Sequence, residues 1–313
     1  MDLIDFNSYP VCDVLPYLLQ DKSMKANIIF ATDEYTEIDS SITAKSHITV
    51  TLLRGLLSDV IEPRVSKSLA QQQERTRNKA EVFTPSWICN KMNNYCDAEW
   101  FGRPNVFNTE IEHDCEHDWI PTETPIQFEN PEDWKRYVDS KRLEITCGEA
   151  PYIVSRYDAS TGEIISINKR MGILDRKLRV VNENTENEEE WLEWVIRAYQ
   201  STYGYEFQGD SLLIARINLL TTFVEYMQNK LNRVPTVEEL KKITNIICWN
   251  FWQMDGLSGT VPLGKLEDEC RQMTFLDFIE GEGNKEKPKK VQCRIFDWRS
   301  KESVEFNSLK RGY

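Results

Sequence analysis

Apolar positions along the chain follow two periodicities, and three stretches combine them in the same order. Residues 142–145 (Arg-Leu-Glu-Ile) suit a short strand, 202–207 (Thr-Tyr-Gly-Tyr-Glu-Phe) a second and 244–249 (Thr-Asn-Ile-Ile-Cys-Trp) a third. Each is followed by a polar position or turn: Cys147-Gly148-Glu149-Ala150, then Glu206, then the turn 253–257 that carries Asp255. Helical spacing fills the intervals. A helix is expected at 151–158, directly after the first turn. Trp191, Trp194, Val195, Ala198 and Tyr199 fall on one face of a helix led by the acidic segment 182–190. Leu213, Ile217, Leu220, Val224 and Met227 line one side of a long helix from 211 to about 231, with Asp210 as its cap. Thr236-Val237-Glu238-Glu239 is a capping box for a shorter helix. Strand, polar turn and helix in repetition predict an α/β fold whose parallel strands end on one edge.

The flanking regions are less regular. Residues 1–80 read as a separate, mostly helical cap, with an apolar run at 14–19, a short strand at 27–32 and either a helix or a strand followed by a helix at 47–60. In 81–96, Thr84 suits an N-cap and Pro85 the first helical position. Trp87, Ile88, Met92 and Tyr95 then share a face, which is expected to be the core face. Residues 97–130 read as loops, and Asn130-Pro131-Glu132-Asp133 opens a helix with Trp134, Tyr137 and Val138 on its apolar side. A hairpin or loop–strand is expected at 159–167. Residues 170–181 give a mixed pattern, and a late strand is expected at 291–298.

With 313 residues, 40% of them hydrophobic and 28% charged, the chain can bury a large core. No apolar run approaches the length that spans a bilayer, and the acidic start lacks the plan of a secretory signal, so a cytoplasmic protein without membrane contact is expected. Eight cysteines form no Cys-x-x-Cys pair and are expected to be reduced. A net charge of −13 argues against a chain that grips DNA unaided. The one basic stretch, 64–79, with Arg64, Lys67, Arg75 and Arg77, reads as solvated surface, and contact with phosphate or a partner is the alternative. His113, Cys115 and His117 stand at i, i+2, i+4 in an acidic run, which matches no common zinc pattern, so a solvated loop and no metal are expected. The histidines lie in no nucleophile context, and the first turn lacks the Gly-x-Gly-x-x-Gly run of a dinucleotide-binding dehydrogenase.

An acid ending the second strand can accept both hydroxyls of a ribose, and one after the third can accept an adenine amino group, which together suit an adenosine-containing cofactor. Phe83-Thr84-Pro85, the run 143–148 with Pro151-Tyr152-Ile153, Tyr203-Gly204-Tyr205-Glu206, and 245–247 through Asp255-Gly256-Leu257 occur in that order. In these residues the chain resembles the DNA adenine-N6 methyltransferases of bacterial restriction–modification systems, over about 81–257. The resemblance implies a Rossmann-like S-adenosylmethionine-binding sheet in 81–313, behind the helical cap. It places Phe83, Thr84 and Pro85 near the methionine end of the cofactor, and Glu144 with the Cys147–Gly148 backbone around the methionine moiety. It gives the ribose to Glu206 and the adenine amino group to Asp255.

Two departures stand out. Glu149-Ala150 occupies the place of the family's second turn glycine, which sets an extra carboxylate beside the pocket. The family's catalytic Asn/Asp-Pro-Pro-Tyr/Phe motif is missing, since no Pro-Pro pair occurs anywhere in the sequence. That motif supplies two acceptors for the adenine amino group and a ring that stacks the flipped base. The resemblance therefore implies the cofactor-binding subunit of a split methyltransferase, inactive alone. A second subunit would supply the catalytic motif, target recognition and most of the DNA contact. The alternative is a catalytically inactive scaffold or regulatory subunit of a restriction or phage-defence complex.

Overall fold

Among the residues that the computed structural model describes (3–79, 84–113, 116–265 and 290–309), helices and short strands alternate from the start. The first part of the chain comprises α1 (Val11–Leu18), the strand pair β1 (Gln20–Asp21) and β2 (Ala26–Asn27), α2 (Val50–Arg54) and α3 (Leu69–Lys79). Then come α4 (Ser86–Phe101), the antiparallel hairpin β3 (Asn108–His113) and β4 (Glu116–Pro121), α5 (Asp133–Asp139) and β5 (Arg142–Glu144). Next follow α6 (Ile173–Asn184), α7 (Glu188–Gln200), β6 (Thr202–Glu206), α8 (Gly209–Leu231), α9 (Val237–Asn250) and β7 (Phe251–Gln253). Strands β8 (Thr260–Lys265), β9 (Lys290–Gln292), β10 (Arg294–Asp297) and β11 (Glu302–Glu305), then α10 (Phe306–Leu309), end the described chain.

The fold is mixed α/β around one parallel sheet of three strands in the order β5-β6-β7. Leu143 pairs with Tyr203 and Glu144 with Gly204, while Gly204 pairs with Phe251 and Glu206 with Gln253. The parallel register brings the three carboxyl ends to one edge. On one face, Tyr203, Tyr205 and Trp252 pack with Val261, Cys293 and Ile295 from the late strands. Helices α8 and α9 pack on β6 and β7. No helix among the described residues is long and apolar enough to cross a membrane.

The segment before residue 80 shares the main apolar cluster. Val14, Leu15 and Leu18 of α1, with Phe30 and Ile48, are buried together with Leu212, Phe223 and Ile247. Arg216, fully buried in α8, ties the layers by donating to the carbonyls of Phe251 and of Leu18 and Gln20. Gly209 is required where α8 begins, because a β-carbon there would lie 1.9 Å from the Ile29 carbonyl oxygen. At 47–60 no strand forms: His47 makes an isolated bridge with Ile29, and the helix α2 covers Val50–Arg54.

Several expected elements hold. The capping box of Thr236 and Glu239 is present in both directions, and Asn187 caps α7 by accepting from the Glu190 N–H. Of the hairpin or loop–strand expected at 159–167, a single Tyr157–Ile164 bridge is present. The late strand is divided into β9 and β10.

Others are corrected. The third strand is Phe251–Gln253, and 244–250 finishes α9 instead. Its apolar run continues the helix face of Leu240, Ile243, Ile246 and Ile247, and a short apolar run does not distinguish the two states. Residues 97–130 are not all loop, because α4 runs to Phe101 and β3–β4 follow. Asp210 lies inside the first turn of α8, whose N-cap position is Gln208. Thr84 likewise stands one residue before the N-cap position of α4, which Pro85 occupies.

Two helices bury polar faces. In α4 the buried residues are Ser86, Cys89, Asn90, Asn93 and Asp97, whereas the expected core residues Met92 and Tyr95 are 52% and 64% exposed. The opposing face of α6 explains this. Arg176 is buried and donates to Asp97 at 2.6 Å, to Asn90 at 2.9 Å and to Asn94 at 2.8 Å. Lys177, also buried, donates to Ser140 O and Ser201 Oγ at the entries to β5 and β6. Satisfied buried polar groups hold these helices together, beside the apolar face of Leu174, Leu178 and Val181 on α6.

Candidate functional site at the end of the first parallel strand

Where β5 ends, its edge residues Leu143 and Glu144, the turn at Cys147–Glu149 and the α4 residues Met92, Asn93 and Cys96 enclose a cavity of 580 Å³. Thr84 and Tyr152 border it as well. The expected helix at 151–158 does not form. One turn closes on the Ala150 carbonyl through the N–H groups of Ile153 and Val154. The Ser155 N–H then turns to Asp175 at 2.8 Å, and the carbonyls of Tyr152 and Ile153 accept from the start of α6. The segment directly after the first turn therefore presents no helix N-terminus to it. The N–H groups of that turn are committed within the protein, with Cys147 donating to Tyr205 O and Gly148 to Glu206 Oε2, each at 2.8 Å.

Glu144 is incompletely satisfied. The Tyr152 backbone N–H donates to its carboxyl group. Its Oε2 is buried and has no hydrogen-bond partner among the described residues. Burial, reinforced by the nearby negative charge of Glu206, pushes its pKa well above the ordinary carboxyl value against the opposing Tyr152 hydrogen bond. A buried carboxylate oxygen without a donor is costly, and a ligand that donates there recovers the cost.

Glu206 stands one strand away and is satisfied. Its Oε1 accepts from Phe207 and Gln208 N–H at 2.8 and 3.1 Å, and its Oε2 from Gly148. Burial raises its pKa, and the three backbone donors pull the other way. Glu206 supports the turn and does not line the cavity. Asp255 follows β7 and closes its own turn by accepting from Leu257 and Ser258 N–H at 3.0 and 3.4 Å. It too lies outside the cavity lining. Of the residues expected to share a site, the structure brings Thr84, Glu144, Cys147 and Gly148 to one cavity, with Glu206 behind its wall. Pro85 is not part of the lining, and Phe83 lies outside the described residues.

The extra carboxylate of Glu149 is held in place. Its Oε1 accepts from Arg64 N–H at 2.7 Å and its Oε2 from the Tyr157 hydroxyl at 2.8 Å. Asn218 donates to the same hydroxyl at 3.1 Å and to the Glu149 carbonyl at 3.2 Å. Tyr152, Tyr157, Arg64 and Asn218 thus support the site although sequence reasoning did not assign them to it. The available signals were the match at Tyr152 and, for Arg64, its place in the basic stretch. Replacing Glu149 with alanine is expected to cost roughly 1–3 kcal/mol of stability by stranding two donors, read as a lower denaturation midpoint.

The basic stretch is less solvated than expected. Arg64 and Arg75 are buried. Arg75 pairs with Glu34 at 2.8 Å and with Asp210 at 3.0 Å, which secures α3 beside the start of α8. His117 stacks on Trp87 with centroids 3.8 Å apart, and no group of three metal-ligating side chains occurs among the described residues. Cys115 lies outside them. Comparison with protein-family models, with curated proteins and with solved structures finds no match for this chain.

Proposed function

We propose that this chain is the S-adenosylmethionine-binding subunit of a split DNA adenine-N6 methyltransferase acting in the cytoplasm in restriction–modification or phage defence. In this reading the parallel sheet is the first half of a Rossmann-like sheet. The observation that carries the reading is Glu144, which lines a cavity at the end of the first parallel strand and whose buried Oε2 has no hydrogen-bond partner among the described residues. The volume of 580 Å³ suits a nucleoside-sized ligand. The methionine ammonium supplies the donor that Glu144 lacks. Gly148, at φ 53°, has open space where a side chain would stand, so the cofactor can approach its backbone. Glu206 accepts three hydrogen bonds within the protein, so of the roughly four lone-pair directions of a carboxylate about one remains, for a single ribose hydroxyl. Thr84 borders the methionine end, with Phe83 and Pro85 assigned there by the resemblance. Asp255 is assigned the adenine amino group on the same ground.

Bound S-adenosylmethionine supplies the methyl group. In this reading the acceptors that hold the target amino group, and the ring that stacks the flipped base, come from a second polypeptide; no Pro-Pro pair occurs in these 313 residues. That partner also carries most of the DNA contact, in keeping with the charge of −13 on this chain. Co-expression with the product of the adjoining gene and an assay of methyl transfer to DNA adenine test the reading. Methylation by the pair and none by either chain alone is expected. A purified complex without methylation contradicts it.

A second reading, an inactive scaffold of the same complex, draws on the committed N–H groups of Cys147 and Gly148, which leave the turn few donors for a ligand. S-adenosylmethionine titration that gives no heat with either the chain or the complex is the result this second reading expects.

A further inference from the structure

A second cavity, of 740 Å³, opens where three separate parts of the chain meet. Its lining includes Lys22, Ser23 and Lys25 from the turn between β1 and β2, Trp249 near the end of α9, and Arg294 and Ser303 from the paired strands β10 and β11. It shares no lining residue with the cavity at β5. The chain as a whole carries a net charge of −13, yet this lining sets Lys22, Lys25 and Arg294 against a single acid, Asp21. The cavity at β5 has the opposite balance, with Arg64 against Glu144 and Glu149. Asp21 is itself buried and serves its own turn, its Oδ1 accepting from the N–H groups of Ser23 and Met24 at 2.7 and 3.2 Å. Burial raises its pKa, which weakens its opposition to an anion.

The polar groups around the cavity have donors to spare. Ser23 Oγ accepts from the Arg294 N–H at 2.9 Å, and Ser303 Oγ accepts from the Arg294 guanidinium at 2.9 and 3.2 Å. Neither hydroxyl donates to an acceptor among the described residues, so each keeps its proton for a ligand. Lys22 donates to a neutral acceptor, Gln20 Oε1, at 2.7 Å. The ammonium of Lys25 has no partner among the described residues, and Arg294 has only a loose, exposed pairing with Glu305 at 4.0 Å. Trp249, packed on Phe296 with centroids 5.2 Å apart, adds an aromatic wall. We propose that this cavity binds a nucleoside monophosphate, with Lys22, Lys25, Arg294 and the hydroxyls of Ser23 and Ser303 on the phosphate and Trp249 beside the nucleoside. A phosphate monoester offers three acceptor oxygens and close to two negative charges, which matches this set of donors and cations. The volume leaves room for the nucleoside beyond the phosphate. The site is separate from the proposed cofactor cavity and does not depend on that reading.

The test is a titration of the full chain, followed by ligand-observed NMR, with uridine and guanosine 5′-monophosphates, the free nucleosides and inorganic phosphate as probes. At least one nucleotide binds with a Kd of about 1 mM or tighter, and its nucleoside and inorganic phosphate each bind roughly tenfold more weakly or worse. Lys25→Gln removes a charge that has no partner to lose, so it leaves the denaturation midpoint unchanged and weakens nucleotide binding about tenfold. Arg294→Gln weakens binding at least as much, and Lys25→Gln decides the matter if that variant fails to fold. Glu144→Gln, in the other cavity, leaves nucleotide binding as it is. Absence of binding by both nucleotides at about 10 mM overturns the proposal. Binding that Lys25→Gln leaves intact overturns it as well, and so does a nucleoside or inorganic phosphate that binds as tightly as the nucleotide. Nucleotide binding lost in Glu144→Gln places the ligand in the cavity at β5 and likewise overturns it.

Discussion

Glu144→Gln lowers the affinity for S-adenosylmethionine by about 30-fold or more, the equivalent of roughly 2 kcal/mol or above for a buried charge pair losing one partner. The amide keeps an acceptor for the Tyr152 N–H and places a second donor where the ligand's ammonium requires an acceptor. Stability moves the other way. The raised pKa of Glu144 means that its contribution favours folding below the unfolded carboxyl range and is lost as pH rises through the folded value. Above the raised pKa the free chain carries an ionised group that its surroundings oppose, so there the glutamine variant unfolds at the same or higher denaturant. Binding of a cation reverses that balance. Affinity in the parent therefore rises with pH across the raised pKa of Glu144, and binding at the low end of that window releases a proton. Calorimetry in buffers of different ionisation enthalpy reads the proton directly, and the glutamine variant loses that proton release.

Arg176→Met is the second large effect, and it concerns folding. Arg176 pairs with Asp97 at 2.6 Å, both buried, while its other nitrogens donate to Asn90, Asn94 and the Met171 carbonyl. Removing the guanidinium leaves Asp97 with the Tyr137 hydroxyl at 3.0 Å and the more distant Arg142 at 3.9 Å. The expected loss is about 3–5 kcal/mol, seen as a lower midpoint in urea with an unchanged slope. Arg176→Met with Asp97→Asn recovers part of it, because no uncompensated charge then remains. The exposed pair Arg136–Asp133 is the contrast, and its removal is expected to leave the midpoint where it is.

The legible parts of the fold are those in which local signals and burial agree. The acids and Asn187 before α7, the capping box of α9 and the long apolar side of α8 each mark an element correctly, and β5 and β6 stand where their short runs place them. The illegible parts share a cause. Helices α4 and α6 meet through Asn90, Asn94, Asp97 and Arg176, so hydrophobic periodicity selects the wrong face of α4, whereas α6 keeps an apolar face in Leu174, Leu178 and Val181 and buries Arg176 and Lys177 as well. The boundary between α9 and β7 falls inside one apolar run. After β5, the helix expected from Pro151 yields to hydrogen bonds from α6 and Asp175, which lie some twenty residues further along the chain.

The candidate site divides in the same way. Glu144 and Gly148 are marked by their place after a strand, and the cavity gathers them. Glu206 carries a supporting hydrogen bond to that turn, which strand order alone does not reveal. The clamp on Glu149 by Arg64 and Tyr157 joins residues 85 and 8 positions apart, beyond the reach of any local pattern.

The most direct test of the central claim is a crystal structure of the chain, alone or with its partner, grown with S-adenosylmethionine. The account predicts the methionine ammonium nitrogen about 3 Å from Glu144 Oε2, within the cavity between β5 and α4. Cofactor density on another surface, or a Glu144 carboxylate that contacts no part of the bound molecule, contradicts it.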